Sequence, residues 1–446
     1  MTPRRILGIV LSLCTVAINV AAQNPVFTTL YSFQGGSDGA SPRGGVILDQ
    51  TGALYGTTYL GGSHPCSNAQ PLCGTVFKLV PAGDGSWAHT IIHNFSGPDG
   101  ALPSSPLTFG AQGVLYGTTL AGGSGVGGTV FRMIPPASGD APWQESVLYD
   151  LPGTCFGPRA PYGGVSIGLG GALLGTAYAS QCVSPGVASG GTAFLLTPPA
   201  ETGGNWTEDT VVEFNNSSAG DLPYVGLVEL NGSWYGTTSA NGQSGFLNGC
   251  GSVFRLAPPA ITGGGWIKTT IHTFTGPDGC NPKAPLAVGP GGLLYGTTYG
   301  GGSGTYCTFP NGGCGTVFLL APPASSGGNW RQTVIHNFKG FDGDGAYPSG
   351  SLVVASTGLV YGTTQYGGSN NGGFVCIYYG AENCGTVFKL APPTTPGSEW
   401  IETIVYNFDN ESIPLAGLTM GPDGTLYGTT SGSGTALKGT VFSLVP

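Results

Sequence analysis

The sequence predicts an all-β fold, a seven-bladed β-propeller built from four-stranded antiparallel blades, and three observations carry that prediction. The pentapeptide Leu-Tyr-Gly-Thr-Thr, or a close variant, occurs seven times, with its second residue at Tyr55, Tyr116, Leu174, Tyr235, Tyr295, Tyr361 and Tyr427. Successive copies stand roughly sixty residues apart, and self-similarity at a fixed period marks a repeat architecture. Each period divides into four strand-like segments, and the two ends of the chain are out of phase with the period.

The first segment is a short apolar run such as Gly45-Val46-Ile47-Leu48, closed by a turn like Thr51-Gly52, Asn231-Gly232 or Asp423-Gly424. Such dipeptides supply the positive backbone angles that tight hairpins need. The pentapeptide is the second segment. The third reads Gly-Thr-Val-Phe-x-Leu with small variations, at Phe77, Phe131, Phe194, Phe254, Phe318, Phe388 and Phe442. The fourth starts at a tryptophan (Trp87, Trp143, Trp206, Trp266, Trp330 or Trp400) and runs into an aromatic or apolar alternation, as in Trp330 to Phe338. Residues Phe27 to Phe33 resemble a fourth segment without its tryptophan, whereas the C-terminal copy stops inside a third segment, at Val441 to Val445. The N-terminal strand is therefore expected to complete the last blade as its outer strand, which removes an open sheet edge. A linear solenoid is the structural alternative, but it needs capping ends and shorter repeats.

Composition agrees with many short strands. The 83 Gly and 35 Pro read as turn residues rather than as disorder, because 40% of the chain is apolar and the aromatics recur at fixed places. The net charge of −9 and the lack of a basic cluster exclude the electrostatic footprint of a nucleic-acid binder.

Arg4 and Arg5 precede an apolar run from Ile6 to Val20, and Val20-Ala21-Ala22 offers small residues before a cleavage point. Residues 1–22 thus read as a secretory signal peptide cleaved near Ala22. Residues 23–446 are expected to form a single propeller domain, monomeric, without a transmembrane segment, and secreted to the periplasm or the outside. A lipoprotein site at Cys14 is disfavoured by the bulky Leu13.

Removing Cys14 with the signal leaves ten of the eleven cysteines, an even number suited to pairing in an oxidising compartment. Cys66 with Cys73, Cys307 with Cys314, and Cys376 with Cys384 each flank a Gly-containing loop. Zinc binding competes, yet zinc sites favour closer cysteines and nearby histidines. In an up-and-down blade, the loop between second and third strands shares a face with the connection to the next blade. That places Cys155, Cys182, Cys250 and Cys280 on the same face and makes Cys155–Cys182 and Cys250–Cys280 feasible pairs. The same face carries the insertions 63–72, 303–313 and 369–383, and variable loops on a rigid scaffold are where binding sites usually lie.

Acidic residues recur there too, at Asp38, Asp99, Asp221, Asp278 and Asp342, mostly as Gly-x-Asp-Gly or a close relative. They are loop-face candidates for a polar ligand, and Asp342 with Asp344 forms the best local candidate for Ca²⁺. The competing reading is an Asp that caps its own tight turn, which repetition in most blades favours. His93, His272 and His336 share one place in the fourth segment, with Tyr31, Tyr149, Glu213 or Tyr406 there in other blades, and read as packing or surface positions. His64 and His89 stand alone. The repeated tyrosine of the pentapeptide is expected to pack between blades rather than stack on a sugar.

The pentapeptide, the Gly-Gly-rich loop after it and Gly-Thr-Val-Phe resemble the tandem repeat called GloVer of exported bacterial proteins, over Phe27 to Val445. The resemblance implies export, with surface display where an anchoring tail follows, and no established reaction. This chain ends at Pro446 inside a repeat, so a released or periplasmic protein is expected. No cofactor motif, nucleophile elbow or zinc-hydrolase motif stands out. Two functions follow as expectations: a non-catalytic module binding a polysaccharide, cell-surface component or protein, or a carbohydrate-acting enzyme using Asp and Glu around the central channel.

Overall fold

The computed structural model describes residues 24–446 apart from 67–72, 138–140, 153–155, 182–189, 202, 215–221, 240–248, 262–263, 305–306, 308–311, 326, 341–342, 370–384, 396 and 409–411. They form seven four-stranded antiparallel sheets, the blades of a β-propeller. The first blade runs outward from Val46–Leu48 through Leu54–Thr58 and Thr75–Pro81 to Trp87–Asn94. Five further blades repeat that order in sequence. The seventh consists of Thr419–Met420, Leu426–Thr430, Thr440–Val445 and, as its outer strand, the N-terminal Val26–Ser32. Val26 pairs with Val445 and Ser32 with Thr440, so the ring closes by the out-of-phase ends as expected.

The two repeated motifs are one packing unit. In every blade the glycine of the second strand lies opposite the phenylalanine of the third, from Gly56 with Phe77 to Gly428 with Phe442. A β-carbon on any of these glycines would overlap Cζ of the facing ring. Glycine is needed because the ring lies flat across the strand, and all seven rings are fully buried. Burying each phenyl group stabilises the blade by about 1.5–3 kcal/mol.

The threonines that follow have separate tasks. The second one meets the first hydroxyl of the third strand, as in Thr58 Oγ1 with Thr75 Oγ1 at 2.8 Å and Thr364 with Thr386 at 2.9 Å. The third blade reads Leu-Leu-Gly-Thr-Ala, and there Ala177 leaves the buried Thr192 hydroxyl without a partner. In four blades the first threonine reaches the next blade, as Thr118 donates to Pro161 O at 2.9 Å, Thr176 to Val225 O at 2.8 Å and Thr363 to Ala416 O at 2.9 Å, whereas Thr237, Thr297 and Thr429 Oγ1 are buried without a partner. A bond from Thr419 to Val46 O ties the seventh blade to the first.

A β-bulge in each outer strand governs what lies between blades. Ile91 pairs with Phe77 but His93 with the adjacent Val76, and the same slip recurs in all seven outer strands. Such a bulge inverts the alternation of side chains. His89 therefore faces the preceding blade while His93, four residues on, faces the following one. The register also corrects one expectation: Val212, not Glu213, holds the place of His93 in the third blade, because Val212 pairs with Ala193. The tryptophans pack edge-on against the pentapeptide tyrosine of the preceding blade, as Tyr55 with Trp143 and Tyr427 with Trp87, at centroid distances of 5.5 to 6.5 Å over five such pairs. The expectation that this tyrosine packs between blades holds.

Candidate functional site at the channel mouth

Each between-blade connection carries a proline a few residues before the innermost strand, as Pro42 before Val46–Leu48 and Pro161 before Val165–Ile167. The residue before the proline has positive φ in six blades: Ser41 (53°), Leu102 (60°), Ala160 (54°), Asn281 (56°), Tyr347 (57°) and Ile413 (39°). None is glycine, and a non-glycine residue held there costs about 1–3 kcal/mol. The carbonyl of that residue accepts the N–H of the residue that follows the pentapeptide. The pairs are Ser41 with Tyr59, Leu102 with Leu120, Ala160 with Tyr178, Leu222 with Ser239, Asn281 with Tyr299, Tyr347 with Gln365 and Ile413 with Ser431. Seven clamps, six of them strained, thus hold two side chains per blade around the inner end of the loop face, one after the proline and one after the pentapeptide.

Those side chains differ from blade to blade. The Arg43 guanidinium lies 3.7 Å over the Tyr59 ring. Tyr162 and Tyr224 stack at 4.7 Å, and Tyr178 meets both edge-on at 5.7 and 5.8 Å. Arg43 enters from the first blade, yet its positive charge acts on the Tyr162 and Tyr224 hydroxyls of the third and fourth. Blades that are not neighbours meet only near the axis, so this cluster stands at the mouth of the central channel. Burial, helped by the neighbouring tyrosines, pushes the Tyr224 hydroxyl up to about 12.

A second arc completes the mouth. Lys283 Nζ lies 3.7 Å over the Tyr299 ring, and burial pushes the Lys283 ammonium down to about 8. Tyr299 stacks on Tyr347 at 4.9 Å and its hydroxyl donates to Gln365 Oε1 at 3.3 Å. Gln365 Nε2 donates to Ser349 Oγ at 2.7 Å, and Ser349 donates to Leu415 O at 3.1 Å. The mouth thus offers aromatic faces, two cations and an amide, set on a rigid ring.

The residues singled out from the sequence lie further out. Asp99 accepts from Ser96 N, Ser96 Oγ and His93 Nε2 at 2.8, 2.9 and 2.9 Å. Asp278 repeats this with Thr275 and His272, and Asp38 with Gln34 N and the Tyr31 hydroxyl. They cap their own turns, as the competing reading had it, and also reach the outer strand. Asp221 and Asp342 lie outside the described residues; Asp344 takes the capping place, accepting from Lys339 N at 2.8 Å.

The histidines depart from expectation, first in that His89 does not stand alone. It stacks on Tyr31 of the preceding outer strand at 4.1 Å and lies 3.3 Å from Asp38. His64 meets only its neighbour Ser63, at 3.2 Å. His93, His272 and His336 are neither apolar packing nor free surface, but half-buried partners of Asp99, Asp278 and Asp344. The bulge brings a residue of the next outer strand to each such pair: Glu145 beside His93, Gln332 beside His272 and Glu402 beside His336. Burial pushes both glutamates up to about 7; the histidine opposes this and the aspartate adds to it.

Three cysteine pairs are bonded: Cys66–Cys73, Cys250–Cys280 and Cys307–Cys314, with Cα atoms 5.2, 4.1 and 5.1 Å apart. All three brace the face that carries the channel mouth. Cys155, Cys182, Cys376 and Cys384 lie outside the described residues. No helix among the described residues is long and apolar enough to cross a membrane.

Sequence reasoning passed over the mouth residues because they follow the repeated motifs instead of belonging to them. The available signal was their variation at two fixed offsets, after Thr-Thr and after Pro.

Comparison with solved structures finds a protein of unknown function from Dyadobacter fermentans, 13% identical, over 81% of this chain and 97% of that one, with a TM-score of 0.42. A luciferin-regenerating enzyme is 12% identical over 84% of this chain and 97% of its own, with a TM-score of 0.40. A search of the curated proteins finds no matching sequence. The model of the Gloeobacter/Verrucomicrobia repeat matches residues 16–181 and 67–310, well over half of the chain. The protein therefore belongs to the Gloeobacter/Verrucomicrobia repeat family, in accord with the GloVer resemblance of its motifs.

Proposed function

We propose that this chain is an exported, non-catalytic binding module and that its ligand is a polysaccharide seated across the channel mouth. The carrying observation is the arc of Arg43, Tyr59, Tyr162, Tyr178 and Tyr224, in which a cation lies over one ring and three further rings stack or meet edge-on. Aromatic faces offer apolar area with few rotors to freeze, which suits the apolar faces of sugar rings. Arg43 and Lys283 add positive charge, which favours sugars bearing carboxylate or sulfate groups. The bonded cysteines and the signal-like N-terminus support action outside the cytoplasm as a secreted protein.

The enzymatic reading leans on paired carboxylates, and the pairs Asp99 with Glu145 and Asp344 with Glu402 stand at the outer strands, away from the channel. A glycan array probed with residues 23–446, run beside a reducing-sugar release assay, tests the proposal. Retention of acidic glycans without product, weakened by Tyr224→Ala, is the expected result. Product formation abolished by a single acidic substitution overturns it.

A further inference from the structure

We propose that the outer rim carries two divalent transition-metal sites, one held by His336, Asp344 and Glu402 and its twin by His93, Asp99 and Glu145. In each triad one nitrogen and two carboxylate oxygens lie within 4.8 Å of one another. His336 Nε2 stands 3.5 Å from Asp344 Oδ1 and 3.5 Å from Glu402 Oε1. Both separations are longer than the ~2.9 Å typical of an N–H···O bond. They match instead the edge of a tetrahedron, about 3.4 Å when N and O ligands sit ~2.0–2.1 Å from a central ion, whereas in the twin His93 Nε2 and Asp99 Oδ2 stand at a hydrogen-bonded 2.9 Å and must part for an ion to enter.

Polar satisfaction points the same way. Glu145 Oε1 and Glu402 Oε1 are buried without a hydrogen-bond partner, while the Glu402 carboxyl also lies within bonding reach of Asp344. A buried oxygen left unmatched is destabilising, and a cation between the three ligands removes that cost. The partners are held from behind. Asp344 accepts from Lys339 N and Gly345 N at 2.8 and 2.6 Å, and the imidazoles stand edge-on against Phe338 and Phe95 at 4.7 and 4.8 Å. Outer-shell contacts of this kind fix ligand orientation. Side-chain exposures of 14%, 9% and 18% for His336, Asp344 and Glu402 leave the site within reach of an ion from solvent.

The donor set selects the metal class. Imidazole with carboxylates suits Zn²⁺, Mn²⁺ or Fe²⁺, whereas Ca²⁺ takes oxygen ligands alone. The Ca²⁺ candidate pair is Asp342 with Asp344, of which Asp342 lies outside the described residues, and with His336 in the set Asp344 suits a transition metal. Each ion would link the outer strand of one blade to that of the next, first to second and fifth to sixth.

The protein contains its own control. The His272–Asp278 junction has the capped turn of His93–Asp99, but Gln332 stands where Glu145 does and donates to Asp278 O at 3.4 Å. A glutamate-to-glutamine change at the other two junctions is therefore one this fold already accommodates.

The test uses the mature chain stripped with EDTA and then dialysed against ZnCl₂, with bound zinc counted by mass spectrometry and folding followed by circular dichroism. Wild type is expected to bind two more zinc ions than the Glu145→Gln, Glu402→Gln double variant, each single variant losing one. Gln332→Glu is expected to gain an ion. In Co²⁺-loaded protein the visible absorption of a low-coordinate site should fall in the same steps. A double variant that stays folded and keeps the wild-type zinc count, or a folded wild type that takes up none, overturns the proposal.

Discussion

The channel mouth and the outer rim are both sevenfold rings built from equivalent backbone positions, and they use their repetition in opposite ways. At the rim, His93, His272 and His336 recur with an aspartate cap, and each junction joins two neighbouring blades. Elsewhere the same place is filled by Phe27 stacked on Tyr406 at 4.1 Å, Tyr149 bonded to Glu208 at 3.4 Å, or Lys268 lying 4.5 Å over Phe214. Every solution there is a pairwise contact between strands. At the mouth the backbone clamps are constant while the side chains range over Arg, Lys, Tyr, Gln, Ser and Leu, and the aromatics gather on one arc. A ring that is constant in backbone and unlike in side chains supports the proposal of a binding surface there, whereas the rim acts as scaffold.

The largest expected effect breaks both regions together. Phe442→Ala removes the ring that lies over Gly428 in the closing blade and should cost about 3–5 kcal/mol, read by denaturant unfolding. Next, Tyr224→Ala separates the regions: polysaccharide affinity should fall by about 1–2 kcal/mol, roughly five- to thirtyfold in Kd by titration calorimetry, while zinc uptake at the rim is unchanged. Ala177→Thr gives Thr192 Oγ1 the partner it has in six other blades and should raise stability by about 0.5–1.5 kcal/mol in the same unfolding assay.

The smallest effect is a pH dependence at the mouth. Lys283 is held at about 8, below its unfolded value, so its charge is present below that pH and lost as pH rises through it. Affinity for an acidic glycan should weaken between pH 7 and 9.5, and Lys283→Gln should flatten that change while Arg43, always charged, keeps its share. For folding the sign is reversed: the unfolded chain binds the extra proton above pH 8, so stability from this group rises with pH there.

The fold was legible because its signals are local and repeated. A glycine facing a phenylalanine, a turn glycine with positive φ and a tryptophan opening each outer strand all report a backbone requirement that recurs in every blade. The chain ends out of phase announced the closing strand Val26–Ser32 for the same reason. The rim was half legible. The aspartates and histidines were visible as repeats, but a bulge that turns His89 toward one neighbour and His93 toward the other leaves no mark in the alternation itself. Reading Glu213 in the place of Val212 was a one-residue slip of that kind. The mouth was not legible, since Arg43, Tyr162 and Tyr224 come together only when three blades converge on the axis.

One measurement bears most directly on the claim that the mouth is the binding surface. Residues 23–446 should be titrated with an acidic polysaccharide beside an Arg43→Ala, Tyr224→Ala variant and a Glu145→Gln, Glu402→Gln variant. The account predicts that the mouth variant loses at least ~tenfold in affinity with its unfolding transition kept, and that the rim variant binds as wild type does. Equal binding by the wild type and the mouth variant would contradict it.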